Sequence, residues 1–200
     1  MSTHAPESLP ANPPTLGRPG AGVSALEIFV LSKIGKPLTS LMPWSLGQLV
    51  FEKEGARILA AAIHRSPSAL TTRVLVPRQV ALEDSSRFWS AAMVARHLVV
   101  VGEKIARVMV CLGKGEMCDE PVNIADVKPD PATPESAFDE YREFLARFGR
   151  MVREDVVNRR SLVTHPHPWS GQMTAHQWLH LAAIHQRIHR VQLQRILREL

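Results

Sequence analysis

The chain has 200 residues, 45% of them hydrophobic, which suits one domain with a substantial core. Its net charge of +5 comes from 24 basic and 19 acidic residues spread along the sequence, as in Arg142-Glu143 and Arg150-Met151-Val152-Arg153-Glu154. That pattern describes a solvated surface. It lacks the basic blocks interleaved with aromatics that a nucleic-acid binder needs. No apolar run is long enough to span a bilayer, and the N-terminus carries no signal-peptide pattern, so a soluble, cytoplasmic chain is expected. Cys111 and Cys118 form no C-x-x-C and are expected to be reduced thiols.

Residues 1–22 contain Pro6, Pro10, Pro13, Pro14 and Pro19 among small and polar residues. Such a stretch cannot bury enough apolar surface to offset its ordering entropy, and it is expected to be disordered. The domain proper is therefore placed at residues 23–200. A short apolar helix is expected over Ala25 to Ile34, ended by Gly35-Lys36-Pro37.

The first long helix is predicted from Ser45 to about His64, with an apolar arc of Leu49, Phe51, Ile58, Leu59, Ala62 and Ile63. Gln48 and Glu52 fall within that arc, which makes Glu52 the one acid predicted to face inward from this helix. A possible strand follows at Thr71–Val76, ended by Pro77. The second long helix begins at Ser90, whose hydroxyl can cap it, and runs to about Leu112. Its buried stripe is Met93, Val94, His97, Val101, Ile105 and Val108.

After a loop rich in Gly and Pro, a third helix is predicted to start with Thr133 as cap and Pro134 in its first turn. Phe138, Tyr141, Leu145, Phe148 and Val152 form its stripe. The fourth starts at Thr174, where Gln177 completes a capping box, and runs to the C-terminus. Four amphipathic helices of about 20 residues, with longer loops between them, define an all-α four-helix bundle.

The last helix carries two histidine pairs at i,i+4 spacing, His176/His180 and His185/His189. At about 100° per residue, His185, His189 and Gln192 share an arc with Trp178, Leu181, Ile188 and Ile196. His176 and His180 fall opposite, among Arg187, Arg190, Gln194 and Arg198, and are expected to face water. Polar groups aimed into an apolar core cost about 1–3 kcal/mol each unless satisfied. A divalent metal gripped by both imidazoles is one answer, and ordinary core hydrogen bonds are another. His97 is the other histidine on an inward helix face, and it would complete a three-imidazole set with positions left open for water or substrate.

Three stretches resemble the DinB-like (YfiT-like) metalloprotein superfamily. Trp89-Ser90 to His97-Leu98 is similar to the family's W-S-x-x-x-V-x-x-H-L. His167-Pro168-Trp169-Ser170-Gly171-Gln172-Met173-Thr174 is similar to its H-P-x-x-G-x-L-T, with Met173 in place of leucine. Gln177-Trp178-Leu179 and His185 through Gln192 are similar to its Q-W-L and H-x-R-x-H-x-x-Q.

The resemblance implies that His97, His185 and His189 bind one divalent metal, zinc or nickel. It also implies activities of the thiol-dependent transferase, isomerase or metal-dependent hydrolase kind. Gln192, one turn beyond His189, is placed where it could support a ligand or hold a water. Glu52 is the candidate proton-transfer group, with a salt bridge to Lys104 as its bland alternative. His167 is read as shaping the turn into the last helix. Lys104 shares the register of His97 and would oppose a metal unless its ammonium points outward. The expected partners are a small-molecule substrate, a low-molecular-weight thiol among the candidates, and a second copy of the chain as a homodimer; neither nucleic acid nor membrane is expected. The alternative is a non-catalytic, metal-stabilised bundle serving as a stress-linked binding or dimerisation module.

Overall fold

A computed structural model describes residues 14–120 and 123–200. Four long helices form the body: α3 (Trp44–Ala62), α5 (Ala91–Gly113), α6 (Ala137–Glu154) and α7 (Ala175–Arg198). Shorter elements are α1 (Ala25–Val30), α2 (Lys36–Leu41), α4 (Pro67–Thr71) and two small hairpins, β1 (Val74–Leu75) with β2 (Phe88–Trp89) and β3 (Thr164–His167) with β4 (Gly171–Thr174). The four-helix bundle expected from the sequence is the observed fold.

Packing partners give the helix directions. Gly47 lies against Leu179 and His180, while Glu54 pairs with Arg190, so α3 and α7 run parallel. Arg96 pairs with Glu140 and Arg147 with Glu103, so α5 and α6 run parallel too. His97 of α5 meets His185 of α7, and Val108 shares a cavity wall with Trp178, so those two helices are antiparallel. Consecutive parallel helices need a long crossover connection, and the chain between α5 and α6 is that crossover. It passes beside the site described below. At Gly102 an added Cβ would lie 2.1 Å from Phe144 Cζ, so glycine lets α5 and α6 approach closely.

Caps fix two helix starts where the sequence placed them. Ser90 Oγ accepts from the Met93 amide at 3.2 Å, and Thr174 forms the reciprocal box with Gln177. Each such cap contributes about 1 kcal/mol. Gly171 turns the β3–β4 hairpin with a φ of +65°, which glycine adopts without steric cost.

Several expectations are corrected. The helix from Ala25 does not stop at Gly35-Lys36-Pro37; it continues through a π-helical turn, Leu31–Gly35, in which the Lys36 amide bonds to the Leu31 carbonyl, into α2, so Pro37 falls where the hydrogen-bond register changes. The third long helix begins at Ala137 rather than after Thr133, because residues 134–136 form tight turns in which the Ala137 and Phe138 amides bond to the Pro134 and Glu135 carbonyls. Residues 1–13 lie outside the described residues, but 17–22 follow a defined path: the Gly17 amide donates to Asp84 at 2.6 Å, the Gly20 amide to Glu83 at 2.9 Å, and the Ala21 carbonyl accepts from the Asp84 amide at 3.1 Å. Backbone hydrogen bonding, which needs no apolar periodicity, holds this part of the segment. Cys111 and Cys118 are free thiols.

Candidate metal centre

The last helix carries its histidines on two buried sides, because α7 is packed between α3 and α5. His185 and His189 project toward α5 and meet His97 there. One ring nitrogen from each of the three lies within 4.8 Å of the others, the one such group among the described residues. The Nε2 atoms of His97 and His185 are 3.2 Å apart. Trp89 forms a wall behind them, stacked on His189 with an interplanar angle of 9° and 5.0 Å from the His97 ring.

The opposite ring nitrogens are fixed by hydrogen bonds. His97 Nδ1 donates to the Val127 carbonyl at 2.7 Å. His189 Nδ1 lies 2.8 Å from Gln192 Oε1, and Gln192 Nε2 donates to the Ser86 carbonyl at 2.7 Å. Because a backbone carbonyl can only accept, the Ser86 bond orients the Gln192 amide with its oxygen toward His189. Both Nδ1 atoms therefore carry the proton, and both Nε2 atoms present lone pairs to the common centre. Oxygen acceptors behind the imidazoles are the usual support of metal-ligating histidines.

The electrostatics agree. Burial holds His97 and His185 well below the ordinary imidazole range, and each is pushed further down by the neighbouring His189. Burial also lowers His189 to about 4. The imidazoles are thus neutral near pH 7, the state that binds a cation. Three convergent neutral nitrogens, two of them with fixed tautomers, fit a divalent metal, with no fourth ligand from His or Cys in the group.

The two loops that supply these acceptors are pinned to each other. Lys128 Nζ donates to Glu83 at 2.8 Å and to the Ser86 hydroxyl at 2.9 Å. Residues 83–86 hold Gln192, while Val127 holds His97, so this ion pair joins the supports of two ligands. None of Glu83, Ser86, Val127 and Lys128 emerges from the sequence, since they lie in loops without periodicity and Val127 acts through its backbone alone.

Glu52 is not at the site. It is exposed on α3, with its carboxylate 3.7 Å from Arg153. The buried acid of that helix is Glu54, paired with Arg57 and Arg190. The shift arises because Gly47 and Gly55, rather than Leu49 and Ile63, form the buried face. Lys104 is not paired with Glu52 either; its ammonium turns to Glu120 at 2.6 Å, which keeps it from the histidines.

His176 and His180 do not simply face water. His176 Nε2 lies 2.9 Å from the Met42 carbonyl, and His180 is buried against Gly47. His167 shapes a turn, its Nδ1 accepting from the amides of Trp169 and Ser170 at 3.2 Å.

A cavity of about 150 Å³ opens beside the three histidines. Val101, Ile105, Val108, Leu181 and Trp178 line it, with Glu83 and Ser86 among its polar groups.

Comparison with known proteins agrees with this picture. The DinB family model matches residues 71–200, and the chain belongs to the DinB family. Among solved structures it is similar to one described as TT2238, a four-helix bundle protein, at 23% identity and a TM-score of 0.51; the match covers 76% of this chain and 98% of that one. At that identity the likeness speaks for the fold. No curated protein matches the chain. Among the described residues no helix is long and apolar enough to cross a membrane.

Proposed function

We propose that this protein is a metal-dependent enzyme, a transferase or hydrolase acting on a small molecule, with a low-molecular-weight thiol as candidate co-substrate. His97, His185 and His189 hold one divalent ion, zinc or nickel. The observation that carries the reading is that three convergent, neutral imidazoles open directly onto a cavity rather than onto packed side chains. A divalent ion there supplies Lewis acidity, which polarises a carbonyl and lowers the pKa of a water or thiol toward neutrality.

The chain's own residues supply the rest. Val127 and Gln192 fix the ligand tautomers, and Trp89 with the aliphatic walls keeps bulk water from the centre. Glu83, not Glu52, is the carboxylate that lines the cavity, and its ion pair with Lys128 holds the two supporting loops beside the centre.

One observation favours a second reading, a metal-stabilised module that pairs with a second copy of itself. Leu26, Phe29, Ile34, Leu38 and Leu41 are exposed large apolar residues on α1, the π-helical turn and α2. Full-length protein loaded with zinc or nickel, and assayed for thiol transfer and ester hydrolysis, separates the two. The enzyme reading expects turnover that needs the metal and is lost in His97→Ala. Absence of turnover with every metal, alongside a stable dimer by sedimentation, favours the module.

A further inference from the structure

The shape of the cavity says what kind of molecule it takes. Along α5, His97, Val101, Ile105 and Val108 follow one another at three- and four-residue steps, all on the cavity wall. Along α7, His189, His185, Leu181 and Trp178 do the same in the reverse direction. Because the two helices are antiparallel, both rows leave the histidines toward the same end. Eleven residues of helix carry each row about 16 Å from the three nitrogens.

The result is a slot with three metal-type donors at its head and mainly aliphatic or aromatic walls, Leu31 among them, with Glu83, Ser86, Asn123, His167 and Ser170 as polar members of its lining. Apolar surface left uncovered in such a cleft is surface that an apolar ligand gains by covering. The lysines beside it have carboxylate partners already, Lys104 with Glu120 and Lys128 with Glu83. Only the methylene stem of Lys104 is left to face the slot.

We infer that the substrate carries an uncharged apolar body, about the size of a benzene ring or a short alkyl chain, which lies between α5 and α7 while its reacting polar head meets the histidine centre. The size follows from the volume: an apolar cavity of about 150 Å³ in another bundle-like interior accepts benzene. This inference rests on the proposed metal-dependent function for the head of the molecule and on the slot alone for its body.

The test uses the full chain, loaded with zinc and checked by elemental analysis, and a series of n-alkyl hydroxamates from acetohydroxamate upward. The hydroxamate head chelates the metal, and the tail reads the slot. Affinity measured by calorimetry should rise about fourfold per added methylene and then reach a plateau once the slot is full. Val101→Phe, a partly buried position one turn from His97, should reduce the longer members to the affinity of acetohydroxamate. Val108→Ala, at the far end, should move the plateau to a longer chain. Affinity independent of chain length would overturn the apolar slot while leaving the metal in place.

Toluene added to the metal-free protein separates the two claims. If the protein holds no zinc, the proposed function fails, yet a toluene-induced rise in melting temperature that Val101→Phe abolishes still supports the slot. No rise overturns it.

Discussion

The two histidine pairs of α7 have the same spacing, lie on the same helix and are both largely buried, yet only one belongs to a group that could hold a metal ion. His185 and His189 meet a third imidazole across the bundle, and the acceptors behind His97 and His189 leave the Nε2 lone pairs of those two rings toward a common centre. His176 spends its Nε2 on the carbonyls of Thr39 and Met42, and His180 packs against α3, with neither in a metal-type group among the described residues. Burial and spacing therefore do not make a candidate metal centre. Convergence does, together with acceptors behind two of the rings that fix which nitrogen carries the proton.

The largest effect that can break this comparison is loss of metal. His185→Ala or His189→Ala should remove most of the bound divalent ion by elemental analysis. His176→Ala and His180→Ala should retain about one equivalent, although the buried His180 will cost stability through the cavity it leaves. Equal losses from both pairs would erase the distinction.

A smaller effect sharpens the role of the supporting acceptors. Gln192 is fully buried and links His189 to Ser86. Gln192→Leu should keep the three ligands but weaken metal affinity about 10- to 100-fold in a competition titration with a chelator. Unchanged affinity would show that Gln192 merely satisfies the core.

The smallest effect concerns the crossover that passes beside the site. Hydrogen bonds from Arg107 and Lys104 hold the Glu120 carboxyl down at about 2, below its ordinary value of 4.5. A carboxyl depressed in the folded state contributes stability that is present above its unfolded pKa and lost as pH falls through the folded one. Wild type should therefore melt higher than Glu120→Gln at pH 6, with the gap closing between about pH 4.5 and pH 2. A gap constant over that range would mean the carboxylate charge is not what Arg107 and Lys104 recognise.

How far the sequence could be read depends on what each residue acts through. His97, His185 and His189 are legible because helix faces and two short motifs both single them out. Ser90 and Thr174 were legible because a cap is a local interaction. His180 was misplaced because assigning one wet face to a helix assumes one packed face, and α7 is covered by α3 as well as α5. Glu52 is misplaced by apolar periodicity because the buried face of α3 includes Gly47 and Gly55, whose lack of a side chain is what admits the neighbouring helices. Val127 could not be found at all, since its contribution is a carbonyl positioned by a loop.

Three imidazoles holding one divalent ion is the claim on which the rest depends, and X-ray absorption at the zinc edge of the zinc-loaded full chain tests it most directly. The account predicts a first shell of nitrogen and oxygen near 2.0–2.1 Å, the range for zinc–imidazole bonds, with the outer-shell scattering of about three histidine rings. A sulfur shell near 2.3 Å would instead place the metal on Cys111 or Cys118. That result, or one histidine ring in place of three, would contradict the account.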